Sequence, residues 1–497
     1  PRMSTYLLAW VVGELHKKTA VTKRGIEVNV WATPAQPRQT LDFALDIATR
    51  SIDFYESYFG VEYPLPKSDH VALPDFSSGA MENWGLITYR ESCLLADPQL
   101  TPVASKRSIA TVITHELSHQ WFGNLVTMQW WNDLWLNESF ANLMEYVAVD
   151  ALEPDWHIWE DYARSEVVAA LRRDSLDGVQ SVQTEVNHPD EISTLFDGAI
   201  VYAKGGRLLR MVKRLIGDEA FRAGLKAYFT EHAYHNTVGD DLWRALETAS
   251  GKPITALMNQ WISQPGFPLV TVGRAGDEVT LEQTRFFVGE HEPSDAQWSI
   301  PLFATPESLG EMLDEPRKVV HVESDADIQL NHDLGAHFVA KYDEKLRARL
   351  LERAENGELS TLDKIGLLQD IPLLARAGLD SSANLIDLAL AFKHETNERV
   401  YAMAANALAE LRKFVEEDDA ARVKLKQLSA NFARPTYERL GWDASDGESD
   451  GDRERRASAL SLMMYGEDGV VLEEAKRRFD TKRLEELSPE LRASIIS

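Results

Sequence analysis

The sequence predicts a multidomain α+β protein, and three observations support that prediction. Its 497 residues are enough for roughly three domains. Short alternating apolar segments, typical of strands, occur before residue 90 and again between residues 269 and 322. Apolar residues at helical spacing dominate from residue 103 to about 263 and from about 346 onward.

The beginning of the chain predicts strands, because residues 28–31 alternate like a half-buried strand before a proline-containing break. Two or three strands do not make a domain, so we expect residues 1–31 to be the end of a larger β-domain. Residues 39–59 then predict an amphipathic helix that stops at Gly60. The strands predicted after this helix are 70–73 and 84–89.

The pattern changes at residues 264–268, where Gln-Pro-Gly-Phe-Pro ends the first long helical region. The strands predicted beyond it, as in a small β-sandwich, are 269–272, 279–287 and 319–322. The helices predicted after residue 346 are 361–377, 382–392 and 398–411. Their similar lengths and short connections suggest stacked helix pairs, although no fixed repeat is evident.

The formal net charge of −27 argues against nucleic acids and anionic membrane surfaces as partners. The single cysteine, Cys93, cannot form an intrachain disulfide and weakly favours a reducing compartment. The longest early apolar run, residues 6–12, is too short to cross a bilayer. We therefore expect a cytoplasmic protein without a membrane partner.

The sequence His115-Glu116-Leu117-Ser118-His119 predicts a metal site on a helix. Residues four apart share one helix face, so both imidazoles can reach one ion and Glu116 can reach the water that the ion binds. Two histidines at this spacing could also be a coincidental pair of core or surface residues. Glu138, near the start of the next predicted helix, supplies a third ligand and leaves a fourth position open. Without the histidine pair it would more often be an acid favoured by the helix dipole.

These residue types together predict hydrolysis at a carbonyl group. Zinc lowers the pKa of its bound water to about 7. Glu116 would take the proton as that water attacks, and would then pass it to the leaving amine.

A third motif, Gly79-Ala80-Met81-Glu82-Asn83, lies upstream of the first two. With these three motifs in this order, the chain resembles the aminopeptidase N family of zinc metallopeptidases, the gluzincin aminopeptidases. The resemblance is strongest to the bacterial lysyl/alanyl branch. It implies one zinc ion per chain, held by His115, His119 and Glu138.

The resemblance also assigns roles to residues that the pattern alone leaves open. Residues 79–83 would form a substrate-binding edge strand, on which Glu82 holds the free amine. Tyr202, within the matching segment 201–206, would stabilise the oxyanion. Taken without the family, Glu82 is a carboxylate in a turn and Tyr202 a core tyrosine.

The family implies four regions: the end of an N-terminal β-domain (1–31), a thermolysin-like zincin catalytic domain (32–264), a small β-sandwich (265–345) and a partial α-helical C-terminal region (346–497). By this resemblance the chain is truncated at both ends, and the missing regions of the parent protein would complete the chamber around the site.

The expected function is zinc-dependent release of N-terminal amino acids from peptides with a free N-terminus. Four alternatives stay open from the sequence. They are a fragment that binds zinc with little activity, a zincin endopeptidase, a relative that opens epoxides, and a binding protein on the same scaffold.

Overall fold

The computed structural model describes residues 1–483 and 486–496. It confirms the α+β class, with two larger sheets and helices between and after them. The strands are β1 (His16–Val21), β2 (Glu27–Ala32), β3 (Lys67–Leu73), β4 (Ala80–Met81), β5 (Leu86–Arg90), β6 (Thr127–Met128), β7 (Asn236–Thr237), β8 (Pro268–Ala275), β9 (Glu278–Arg285), β10 (Ile300–Pro301), β11 (Met312–Leu313), β12 (Arg317–His321) and β13 (Val339–Tyr342).

The helices include the predicted long ones, and their order along the chain agrees with the sequence pattern. They are α1 (Asp42–Phe59), α2 (Val103–Ser118), α3 (Trp135–Leu152), α4 (Ile158–Tyr162), α5 (Val168–Asp174), α6 (Ile192–Leu195), α7 (Gly205–Ile216), α8 (Asp218–His232), α9 (Gly239–Ser250), α10 (Ile254–Ser263), α11 (Glu344–Glu355), α12 (Thr361–Arg376), α13 (Asn384–Ala391), α14 (Glu398–Glu410), α15 (Asp419–Leu440), α16 (Asp450–Tyr465), α17 (Gly469–Thr481) and α18 (Arg492–Ile496).

The first sheet has the strand order β1-β2-β3-β5-β4, so β4 lies at an edge. Strand β2 pairs in parallel with β3, and β3 in parallel with β5. Strands β1 and β2 therefore belong to the same sheet as the strands that follow α1. A boundary at residue 31 would cut this sheet, which is where the structure departs from the expected end of a separate β-domain. The expected strand at the very beginning is also absent, since Thr5–Leu7 forms a 3-10 turn instead.

Helix α1 supports the two helices that carry the predicted metal ligands. Its apolar face is buried, and Gly60 ends it with a left-handed φ of 62°. The Tyr55 hydroxyl lies 2.8 Å from the Thr114 carbonyl on α2 and 3.1 Å from the Met144 carbonyl on α3. Because Tyr55 is fully buried, these contacts hold α2 and α3 in a fixed relation.

The region after α10 contains the second sheet, in the order β12-β9-β8-β13, with β10 and β11 as a separate pair. From α11 onward the chain is helical, as predicted. Of the helices in the described ranges, none combines the length and the apolar character that a bilayer span requires.

Candidate active site

Helix α2 brings the first metal motif to the centre of the molecule. Its buried face includes Ile109, Ile113 and Leu117, which fixes the rotation of the helix and turns the opposite side chains toward α3. His115 lies in the last turn, and His119 is the residue at which the helix ends. The predicted placement of the motif on a helix is therefore correct.

Glu138 lies in the first turn of α3, a helix that is buried over most of its length. Its Oε2 lies 3.4 Å from His115 Nε2 and 3.3 Å from His119 Nε2. The two Nε2 atoms are 3.1 Å apart. In the described part of the chain, this is the only group of three or more His, Cys, Asp or Glu side chains placed to share a metal ion.

These distances fit a tetrahedral zinc ion. With metal–ligand bonds of ~2.0–2.2 Å and tetrahedral angles, ligand atoms lie about 3.3–3.6 Å apart, close to the separations seen here. The Nδ1 atom of each histidine faces an oxygen acceptor. Each Nδ1 can therefore carry the ring proton, which leaves the lone pair of Nε2 available to coordinate a metal. His115 Nδ1 lies 2.7 Å from Glu145 Oε2, and His119 Nδ1 lies 3.0 Å from the Phe122 carbonyl. Such outer contacts orient histidine ligands and select the tautomer.

Glu116 lies beside this triad without belonging to it. Its side chain is buried, and no described residue donates a hydrogen bond to Oε2. Burial raises its pKa, while His115 and His119 act in the opposite direction. A buried carboxylate with an open acceptor atom next to a metal site is suited to accept a proton.

The segment from Gly79 to Asn83 contains the edge strand of the first sheet and lies against residues just beyond the end of α2. Ala80 and Met81 are the edge strand β4, which pairs antiparallel with β5. Glu82 follows immediately and is only 7% exposed. The Gly79 carbonyl accepts from the Arg90 amide at 2.9 Å, so the start of the segment is held by the sheet.

Two side chains that follow His119 hold the other end of this edge. Asn124 Nδ2 donates to the Glu82 carbonyl at 2.9 Å, and Gln120 Nε2 lies 3.4 Å from the same oxygen. Asn83 Oδ1 accepts from the Thr88 hydroxyl at 2.9 Å. The backbone at Glu82 is thus tied to residues just beyond the helix that carries His115.

Tyr202 lies in a seven-residue π-helical segment, Gly198–Lys204, that leads into α7. Its ring stacks on His115, with centroids 6.0 Å apart and planes at 20°. Burial raises the pKa of Tyr202, and the nearby carboxylates of Glu138, Glu82 and Glu116 raise it further. The hydroxyl therefore stays protonated and can donate a hydrogen bond.

Comparisons with known proteins find two matching domain families and several similar chains. Residues 43–261 match the Peptidase family M1 domain, and residues 328–497 match the ERAP1-like C-terminal domain. Residues 43–261 therefore form a Peptidase family M1 domain. The chain is 51% identical over 472 residues to Aminopeptidase N of Lactococcus lactis subsp. lactis, covering 93% of this chain and 55% of that protein.

Two other relatives are similar over a comparable length. Aminopeptidase N of Lactobacillus helveticus is 46% identical over 503 residues, covering 100% of this chain and 59% of that protein. Aminopeptidase M1 of Arabidopsis thaliana is 38% identical over 510 residues, covering 97% of this chain and 56% of that protein. The chain thus spans somewhat more than half the length of these relatives.

Two further residues near this site, Glu145 and Tyr6, were not predicted from the sequence. Glu145 could have been found, because it follows Glu138 by two helical turns and so shares its face. Tyr6 carried no such signal. Its hydroxyl lies 3.4 Å from Asn137 Nδ2. Its pKa is raised by burial and then by Glu82 and Glu138, so the hydroxyl lies near both of these carboxylates.

Proposed function

We propose that this chain carries the active site of a zinc-dependent aminopeptidase that releases N-terminal amino acids from peptides. The observation that carries the proposal is the separation of 3.1–3.4 Å among one atom each of His115, His119 and Glu138, with Glu82 at the edge of the same site. Peptides with a free N-terminus are the proposed substrates.

His115, His119 and Glu138 would hold the zinc ion. When bound, zinc activates a water molecule and polarises the substrate carbonyl. Glu116 accepts the proton of the attacking water and delivers it to the leaving amine nitrogen. Its burial supports this role, because a carboxylate removed from water binds a proton more readily.

Residues 79–83 would bind the substrate, and the Glu82 carboxylate would pair with its ammonium group. A buried ammonium group needs such a partner, and the pairing sets the register so that the first peptide bond meets the metal. The Tyr202 hydroxyl would donate to the oxyanion that develops on the carbonyl.

The domain boundaries and the location belong to the same proposal. We place the catalytic region from before β1 to residue 264, the β-sandwich at 265–345 and the helical region at 346–497. A cytoplasmic location is proposed from the family resemblance and the single cysteine.

The test combines metal analysis with hydrolysis of a panel of aminoacyl anilides, each with and without an N-acetyl group. We expect one zinc per chain and cleavage of the free-amine substrates alone. Equal cleavage of the acetylated substrates would contradict an aminopeptidase and indicate an endopeptidase. The variant Glu82→Gln should raise KM for free-amine substrates, and an unchanged KM would remove Glu82 as the amine partner.

A further inference from the structure

Three fully buried ionisable side chains meet outside the metal site. Asp174 ends α5, Lys204 is the last residue of the π-helical segment, and His337 precedes β13 in the second sheet region. Lys204 Nζ lies 2.9 Å from Asp174 Oδ2, and His337 Nε2 lies 3.0 Å from the same oxygen. The exposed fraction of all three side chains is 0%.

The ammonium group of Lys204 is saturated with acceptors. Besides Asp174, it donates to the carbonyls of Gln264 at 3.2 Å and Gly266 at 3.1 Å. The Gly266 amide in turn donates to Asp174 Oδ1 at 2.8 Å. The end of the π-helical segment is therefore tied to α5 and to the turn that opens the second sheet region.

A buried ion pair is a costly way to hold a fold together, because apolar side chains of similar volume often stabilise at least as well. It fixes geometry more strictly than apolar packing, since each donor must meet its acceptor in a defined direction. The ion pair of Lys204 is therefore suited to fix the position of the segment that it ends.

The opposite side of the same segment is held by α3. Ser139, the neighbour of Glu138, donates its hydroxyl hydrogen to the Val201 carbonyl. At Gly205 the backbone approaches α3 so closely that a Cβ atom would lie 1.9 Å from Ser139 Oγ. Tyr202 thus lies between an attachment to the metal-ligand helix and the buried ion pair of Lys204.

We propose that Lys204 is a positioning residue for Tyr202. It acts through its ion pair with Asp174, whose Oδ2 atom also contacts His337. The pair holds the π-helical register that directs the tyrosine hydroxyl into the metal site. This role in the reaction rests on the proposed function. The holding of the segment itself can be measured without activity.

The central variant is the double substitution Asp174→Asn with Lys204→Met, which removes both charges and leaves neither one buried alone. We expect zinc content and KM to stay near those of the parent chain and kcat to fall by roughly 10²-fold, as for a catalytic group displaced by about 1 Å. Amide hydrogen exchange over residues 198–204 should accelerate more than tenfold, with α2 and α3 unchanged.

A cycle with Tyr202→Phe separates positioning from general damage. That variant alone should lower kcat by ~10²–10³-fold, and adding the double substitution should cause no further loss, because Lys204 acts through Tyr202. His337→Gln, which keeps the ion pair, should give a smaller loss of kcat. Arg207→Met is the matched control, since Arg207 is also buried and reaches the Ala336 carbonyl beside His337. It should leave kcat unchanged.

Several outcomes would overturn the proposal. If the double variant keeps kcat while Tyr202→Phe loses it, Tyr202 acts in the reaction but Lys204 does not position it. A further loss on adding the double substitution to Tyr202→Phe would also contradict it. If the parent chain cleaves no free-amine substrate, the proposed function fails. Amide hydrogen exchange then remains the test of whether the ion pair holds the π-helical segment. Unchanged exchange over residues 198–204 then overturns the holding role.

Discussion

Two glutamates from adjacent helices meet in this site with opposite proton affinities. Burial raises the pKa of both, but at Glu138 the two histidines outweigh burial and the pKa falls to about 2. At Glu116 burial prevails and the pKa rises. One carboxylate therefore favours the ionised form and the other binds a proton more readily, a difference that environment alone can impose.

The first prediction concerns Glu116. Glu116→Gln keeps the volume of the side chain and leaves the three ligand atoms in place, so we expect unchanged zinc content. Turnover of free-amine substrates should fall by ~10²–10⁴-fold, because the variant cannot accept a proton. Metal analysis and steady-state kinetics on the same preparation check both statements. Retained kcat at full zinc occupancy would exclude Glu116 as the base.

The second prediction concerns Glu145, which touches His115 rather than the metal position. Glu145→Gln removes the charge that the His115 Nδ1–H group faces, so zinc affinity should fall by ~10–100-fold. Glu166→Gln is the matched control, because Glu166 is a partly buried carboxylate near α3 that contacts Asn142 and Tyr146 instead. Competition with a chelator measures both affinities. Equal zinc affinities for the two variants would show that the contact between Glu145 and His115 does not strengthen zinc binding.

At the scale of elements, the helices were predictable because apolar residues recur at helical spacing over long stretches, as in α1. The π-helical segment around Tyr202 was not, since its seven residues have no periodicity of their own. The sequence also did not predict that β1 and β2 belong to the first sheet. It depends on pairing β2 with β3 across the whole of α1, and strand partners far apart in sequence leave no local pattern.

The third prediction concerns the close approach of Gly205 to Ser139. Gly205→Ala would place a Cβ 1.9 Å from Ser139 Oγ and 2.7 Å from its Cβ, so the π-helical segment must move away from α3. We expect a loss of stability of about 1–3 kcal/mol and a fall in kcat as Tyr202 shifts.

Gly198→Ala is the control for this change. It lies at the start of the same segment, and an added Cβ would have no atom within 4 Å. Urea unfolding and kinetics of the two variants, measured side by side, should differ clearly. Equal stability and equal kcat for the two variants would mean that the close contact with α3 does not determine the position of the π-helical segment.

At the scale of the whole molecule, the long helical C-terminal region meets α2 and the end of α4 through buried and partly buried charges. Arg107, on the helix that carries His115, pairs with Asp161 and with Glu454 of α16. Arg399 of α14 also pairs with Asp161. The sequence could indicate the three motifs of the site, since each is local. It could not indicate these pairs, because charged residues are common on helices and the partners are separated by between 54 and 347 positions.

The last prediction concerns acid stability, to which two buried histidines should contribute between pH 6.5 and 3. Burial lowers the pKa of His70 and of His337 to about 3. In the unfolded chain a histidine has a pKa of ~6.5, so between these values only the unfolded chain binds the proton. Their contribution to stability is therefore present above pH 6.5 and lost as the pH falls toward 3, by up to ~1.4 kcal/mol per pH unit for each histidine.

The variant His70→Gln tests this directly. His70 contacts Ser68 and Tyr89, and the glutamine amide offers a neutral polar replacement. Urea unfolding at pH 7, 6 and 5 should show a shallower loss of stability than in the parent chain, by about one proton per molecule. His321→Gln is the control, because that side chain is 79% exposed and should leave the slope unchanged. Identical slopes for His70→Gln and the parent would mean that His70 gains its proton without unfolding, which requires water or a compensating charge to reach it inside the first sheet.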